Sequence, residues 1–231
     1  STRGTAVITV SGSDGVARPV AGMGLANEWE LLKGDAFRPL WPEGVDLKAD
    51  KHKNGGRNQA LFLWTDANGD ARPQPEEVRL HRAAVGGVTV MGDLSFCVAR
   101  VDGRAMRFAP VRVARDGAPF YAFEAGQAVA EGVQGPKSSG GNQMLADGSG
   151  EAVLTLGVAP FDAYSVCGTR DGQAVWSYPN PWPGLHASHH AAKPDRPGQI
   201  IGVTRLLGGF VNPKGSEVGP LWGVNGNMGN F

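Results

Sequence analysis

Asp-Gly recurs five times in this chain, at Asp14-Gly15, Asp102-Gly103, Asp116-Gly117, Asp147-Gly148 and Asp171-Gly172, each time beside short apolar runs. The pair supplies the positive φ angles of the tight turns that match strand twist, so each occurrence signals a β-hairpin, and repeated hairpins mean antiparallel sheet. The flanking pieces fit: Ala6 to Val10 and Ala17 to Ala21 surround the first pair, Ser165 to Thr169 and Gln173 to Tyr178 the last. Composition agrees. With 35 Gly and 16 Pro among 231 residues the chain holds too many breakers for a helical protein, and at 41% hydrophobic it can still pack a core. The expected class is all-β.

Charge excludes one class of partner. The formal net charge is zero, with 22 basic and 22 acidic residues and no long run of either sign, which leaves no electrostatic footprint for nucleic acid. No apolar run approaches the roughly 20 residues that cross a bilayer, so no membrane span is expected. Ser1-Thr2-Arg3-Gly4 does not read as a signal peptide, but an exported chain would already have lost its own. Walker, GxSxG, HExxH and strand-linked GxGxxG motifs are absent. Cys97 and Cys167 lie in separate apolar, strand-like runs and read as buried thiols, with one long-range disulfide as the alternative.

Two stretches break the strand rhythm. Residues 26–58 carry Trp29, Pro39, Trp41 and Pro42 and end in a mixed-charge, Gly-rich loop; within them Asn27 to Gly34 can form a two-turn helix, with Asn27 as N-cap and Gly34 as C-cap. Residues 124–150 are similar. Both read as solvated connections, although long loops on a rigid scaffold are also where binding residues sit.

The segment Asp66-Ala67-Asn68-Gly69-Asp70-Ala71-Arg72-Pro73-Gln74-Pro75-Glu76-Glu77 places oxygen-bearing side chains at positions 1, 3, 5, 9 and 12 of a loop. A hard cation needs six to eight oxygens, and this spacing converges them when the loop wraps around the ion. Asp66, Asn68 and Asp70 each offer one oxygen, Arg72 its carbonyl, Gln74 a direct or water-mediated ligand, and Glu77 two oxygens. The twelve residues resemble the EF-hand and dockerin type of loop, and the resemblance implies Ca2+ as cofactor. Position 6 departs from it, because the family has glycine there for a positive φ and this chain has Ala71, at about 1 kcal/mol if the angle is kept. Pro73 and Pro75 remove the donors with which such loops pair, so the loop stands alone. The preceding Gln59 to Thr65 is apolar and aromatic, and predicts a strand rather than a helix leading into the loop.

A second candidate is Trp176 to His190, where His186, His189 and His190, three of the five histidines, fall within five residues. Pro179, Pro181 and Pro183 exclude a helix before them. Crowded neutral imidazoles can ligate a metal or supply a general base, and the alternative is a polar turn bonded to backbone. Trp182, between two prolines, is the candidate for exposure and stacking, whereas Trp176 reads as a core residue.

The recurring unit of strand, Asp-Gly and a strand with a bulky residue, seen at Ser95 to Phe108 and Tyr164 to Trp176, resembles the blades of secreted bacterial β-propellers of the NHL-like and quinoprotein-like kind. That resemblance implies one domain over residues 1–231 with about five blade-like units, at about 45 residues each, and irregular insertions; a β-sandwich is the alternative. Leu221 to Phe231 reads as a strand, an Asn-Gly turn and a second strand that stops, as in a fragment or an incomplete propeller completed by another chain or a further segment. The function implied is a calcium-binding, non-catalytic domain of a secreted, periplasmic or extracellular protein, used for binding a glycan or protein partner or as a scaffold. The alternatives are a polysaccharide lyase or hydrolase with a histidine base, and a redox or metal-binding propeller. Nothing in the sequence requires catalysis.

Overall fold

A computed structural model describes residues 5–12, 14–135, 142–146, 150–161, 165–179, 196–200, 204–210 and 221–225. The described secondary structure is almost all strand: β1 (Ala6–Ser11), β2 (Ala17–Leu25), β3 (Ala60–Thr65), β4 (Val78–Arg82), β5 (Val88–Val90), β6 (Phe96–Val101), β7 (Arg104–Phe108), β8 (Arg112–Val113), β9 (Pro119–Phe120), β10 (Gln127–Ala130), β11 (Met144–Ala146), β12 (Glu151–Leu154), β13 (Ser165–Arg170), β14 (Gln173–Pro179), β15 (Arg205–Phe210) and β16 (Leu221–Asn225). They form three four-stranded sheets, ordered β1-β2-β3-β4, β10-β7-β6-β5 and β11-β12-β13-β14, and two pairs, β8-β9 and β15-β16. The all-β expectation holds. No described helix is long and apolar enough to cross a membrane.

The Asp-Gly turns behave as their chemistry dictates. Asp102-Gly103 joins β6 to β7 and Asp171-Gly172 joins β13 to β14, and in each both residues have positive φ, 50° and 85° in the first, 51° and 81° in the second. Two consecutive positive angles define the hairpin turn whose twist suits the strands, and aspartate is one of the few side chains that tolerates the first position. Asp14-Gly15 closes β1 onto β2 and Asp116-Gly117 closes β8 onto β9. Asp147-Gly148 lies outside the described residues.

Contacts divide the chain into two compact units, one running to Asp102 and resuming at Met106–Ala128, the other built on Gly103–Ala105 and the chain from Val129. In the first unit β3 is buried along its whole length. Alternation sends Leu61 and Leu63 into a cluster with Ile8, Val20, Met23, Phe96 and Phe108, and Phe62 and Trp64 into another with Leu32, Phe37, Val45 and Leu47. The second cluster is the unexpected one. Residues 26–47, read as a solvated connection, instead cover one face of the sheet, with the Trp29 ring 4.7 Å from Phe62. Glycine on β2 leaves room for this, since a Cβ on Gly24 would lie 2.9 Å from the Thr5 backbone and 3.1 Å from the Phe62 ring.

The two-turn helix does not form. Ala26–Glu28 and Glu30–Lys33 are separate 3-10 turns, broken at Trp29 (φ −108°, ψ 105°), and Gly34 has φ −67° rather than a left-handed angle. Asn27 does not cap a helix; its amide bonds the Asn58 carbonyl (2.9 Å) and accepts from Ala60 N (3.3 Å), tying the segment to β3.

In the second unit β11 to β14 form consecutive antiparallel pairings. Thr169 Oγ1 donates to the Val129 carbonyl at 2.9 Å. Trp176 departs from its expected core position: on β14 it is 41% exposed and lies across its cross-strand partner Gly168, where a Cβ would meet the indole at 2.0 Å. The ring finds its cover on a neighbouring strand that lacks a side chain, not in the core. Cys97 and Cys167 are both buried and neither is in a disulfide, as expected of apolar strand positions.

Candidate functional site

The Asp66–Glu77 loop joins β3 to β4, so a strand delivers it, as the apolar run before it predicts. Its entrance is pinned by Asp66 N donating to the Val20 carbonyl at 2.8 Å. The chain then reverses through Gly69 (φ 80°) and Ala71 (φ 60°). Ala71 therefore keeps the positive angle that position 6 of a calcium loop requires, without glycine.

The oxygen-bearing side chains organise the loop by accepting its own N–H groups. Asp66, 5% exposed, accepts from Gly69 N on one carboxylate oxygen (2.8 Å) and from Ala71 N on the other (2.9 Å). Asn68 Oδ1 accepts from Asp70 N (3.0 Å), and Asp70 Oδ1 from Arg72 N (2.8 Å). The Gln74 amide links these two, donating to Asp70 Oδ2 at 2.6 Å and accepting from Asn68 Nδ2 at 3.4 Å. Glu77 closes the loop: Oε1 takes Ala67 N (2.8 Å) and Asn68 N (3.3 Å), while Oε2 takes the Trp64 indole N–H (3.3 Å) and Gln74 N (3.4 Å).

A carboxylate has about four acceptor sites, so Glu77 is saturated in this arrangement, whereas each Asp66 oxygen keeps one lone pair. The structure thus brings Asn68, Asp70 and Gln74 into mutual contact, gathers the loop on Asp66, and gives Glu77 the work of a clasp. Among the described residues no three His, Cys, Asp or Glu side chains form a group that could hold a metal by themselves. The expected calcium set includes three carboxylates, Asp66, Asp70 and Glu77, beside the amide oxygens of Asn68 and Gln74 and the carbonyl of Arg72, and here each of the three carboxylates accepts N–H groups of the loop itself.

Holding φ positive at a non-glycine residue costs of order 1–3 kcal/mol. Glycine there gives back about 0.4–1 kcal/mol through its freer unfolded chain. Ala71→Gly is accordingly expected to stabilise the protein by about 1 kcal/mol. Because the angle already stands in the folded loop, the strain burdens folding and not ion capture. The same rise in melting temperature should appear in EDTA and in calcium; a rise confined to calcium would place the strain in the binding step.

Beside the loop, within the same unit, lies a cavity of about 280 Å3 lined by Val10, Ser11, Gly12, Arg18, Val20, Asp66, Gly69, Asp116 and Ala118. Its floor is apolar, with Val20 and Ala118 buried. Its polar residues come from the end of β1, the start of β2, the 66–77 loop and the β8-β9 turn; Ser11, Arg18 and Asp116 are exposed, whereas Asp66 is as buried as Val20 and Ala118. Arg18 is committed, bonding Asp14 through both terminal nitrogens (3.1 and 2.5 Å) and the Val16 carbonyl (3.3 Å). The guanidinium and the Val16 amide hold the Asp14 carboxyl well below the usual carboxylate range. Asp116 Oδ1 accepts from Ala118 N at 3.1 Å.

Sequence reasoning singled out Asp66 but not Arg18, Ser11 or Asp116. Those three read as hairpin residues, and nothing local distinguishes an Asp-Gly turn that lines a cavity from one that does not. His186, His189 and His190, with Trp182, lie outside the described residues, and so do the catalytic and redox readings that depend on them. No protein family, no curated protein and no solved structure matches this chain.

Proposed function

We propose that this chain is a calcium-binding, non-catalytic domain of the β-propeller type from an exported protein, serving a binding or scaffold role, with the ion held in the Asp66–Glu77 loop. The propeller component is supported by the sheets: four-stranded antiparallel modules follow one another along the chain, each largely in sequence order, which is how propeller blades are built. Export is carried by the resemblance of the hairpin unit and its calcium loop to secreted bacterial propellers.

One observation carries the calcium reading: Ala71 at φ 60° in the position where a calcium loop turns, with both of its flanking ligand residues, Asp70 and Arg72, joined by a hydrogen bond. A bulky or ordinary residue rarely adopts that angle in an arbitrary turn. Asp66, Asn68, Asp70, the Arg72 carbonyl and Gln74 supply oxygens of the hard type that Ca2+ prefers. Ligation by Glu77 exchanges its loop N–H donors, including the Trp64 indole, for the ion.

Isothermal titration of the purified, EDTA-stripped chain with Ca2+ tests the reading, with Mg2+ as control. Saturable binding near one ion per chain is expected, weakened by Asp70→Ala, an exposed ligand whose removal spares the core. It should come with a change in tryptophan fluorescence that disappears in Trp64→Phe. Absence of binding at millimolar Ca2+ would overturn it.

A further inference from the structure

We propose that the cavity beside the loop is a binding site for a small neutral polyol of the sugar-ring type. The size is suitable, since a cavity of about 280 Å3 is close to the lower end of ordinary ligand pockets, roughly 300–1,000 Å3. The ligand class follows from an inventory of what the walls offer.

The sole cation of the lining, Arg18, is engaged by Asp14 and by the Val16 carbonyl, so an anionic ligand meets no free cation there. The remaining side chains of the rim are rich in acceptors. Asp116 uses one oxygen for Ala118 N, and the other holds no hydrogen bond among the described residues. Each Asp66 oxygen accepts one N–H and retains a lone pair. Ser11 adds a hydroxyl. A ligand must therefore arrive with donors: Ser11 and Asp116 are exposed and offer their oxygens at the mouth, while Asp66 is buried, so its acceptors left unmatched would count against a ligand that lacks donors.

Placement separates hydroxyls from ammonium. Ser11, Asp66 and Asp116 belong to three different segments, the end of β1, the 66–77 loop and the β8-β9 turn, around an apolar floor of Val10, Val20 and Ala118. An ammonium concentrates its donors on one atom, whereas a sugar ring distributes hydroxyls around its edge and presents a C–H face to such a floor. The site goes beyond the calcium reading and shares only the loop residues Asp66 and Gly69 with it.

The test is 1H–15N NMR titration of the whole chain with methyl glucoside, methyl galactoside and methyl mannoside, with propylammonium and propionate as the opposing probes, each in calcium and in EDTA. Saturable shifts of the Ser11, Gly12, Gly69 and Ala118 amides are expected with at least one glycoside and with neither charged probe. Asp116→Asn keeps the acceptor for Ala118 N but turns a donor toward the ligand, and should weaken glycoside binding about tenfold or more. Val10→Trp, on a half-buried edge position, should abolish it by filling the floor, and keeps the proposal testable should Asp116→Asn not fold.

No saturable shift with any of the three glycosides overturns the proposal. So does stronger binding of either charged probe, or undiminished glycoside binding in both variants. Calcium binding without glycoside shifts removes only the cavity assignment, and glycoside shifts in a chain that ignores calcium remove only the calcium reading.

Discussion

Asn58→Ala is expected to lower the unfolding free energy by about 3 kcal/mol, because it removes the partner of three part-buried backbone groups, the N–H and carbonyl of Asp46 and the carbonyl of Asp50, at about 1 kcal/mol each. Asn58 is 2% exposed and sits just before β3, where the long excursion returns to the sheet. Its Oδ1 accepts from Asp46 N at 2.8 Å, and its Nδ2 donates to the carbonyls of Asp46 (2.9 Å) and Asp50 (3.0 Å). Its own carbonyl accepts from Asn27. The side-chain amide thus fixes the returning end of the segment whose Leu32, Phe37, Val45 and Leu47 cover Phe62 and Trp64, and the backbone carbonyl, which the substitution keeps, holds the other end through Asn27. Asn58→Asp offers no rescue, since it turns a second acceptor toward two carbonyls. Urea unfolding checks both variants, and a loss below about 1 kcal/mol for Asn58→Ala would show that water replaces the amide without penalty.

The same region shows where sequence reasoning succeeds and where it stops. Asp102 and Asp171 were legible as turn residues because the physics is local: the tolerated φ, the following glycine and the strand twist all lie within two residues. The strand entering the 66–77 loop was legible for the same reason. The excursion was not. Its apolar residues Leu32, Phe37, Val45 and Leu47 share no single period of 2 or 3.6, because Leu32 and Phe37 sit in two separate 3-10 turns and Val45 and Leu47 lie beyond both. Their partner face becomes visible only once β3 is recognised as buried on both sides. The cavity is harder still, since four separate segments build it and each, read singly, is an ordinary turn or strand end. Position 6 of the loop lies between these cases. Alanine there argued locally against the positive angle, and the hydrogen bond from Ala71 N to Asp66 Oδ2, five residues back, belongs to the arrangement that holds it.

Asp66→Ala should act twice, and the two effects are separable. In EDTA it is expected to cost about 2 kcal/mol, because Gly69 N and Ala71 N lose their acceptor in a loop where Asp66 itself is buried, and orphaned donors cost about 1–3 kcal/mol each when water reaches them poorly. In calcium the deficit should widen. An ion that binds only the folded chain stabilises it by about 2.7 kcal/mol at 100 times its dissociation constant, and the variant forfeits that increment as well. A drop in melting temperature for Asp66→Ala alone therefore proves nothing about calcium. The decisive quantity is the difference between the calcium and EDTA unfolding free energies, measured in wild type and in Asp66→Ala. Asp66→Asn sharpens the comparison, since it keeps an acceptor for one loop N–H and loses the charge that attracts the ion. It should recover roughly half of the EDTA deficit and little of the calcium increment. Equal calcium increments in all three proteins would assign Asp66 to loop architecture alone and remove position 1 from the ligand set.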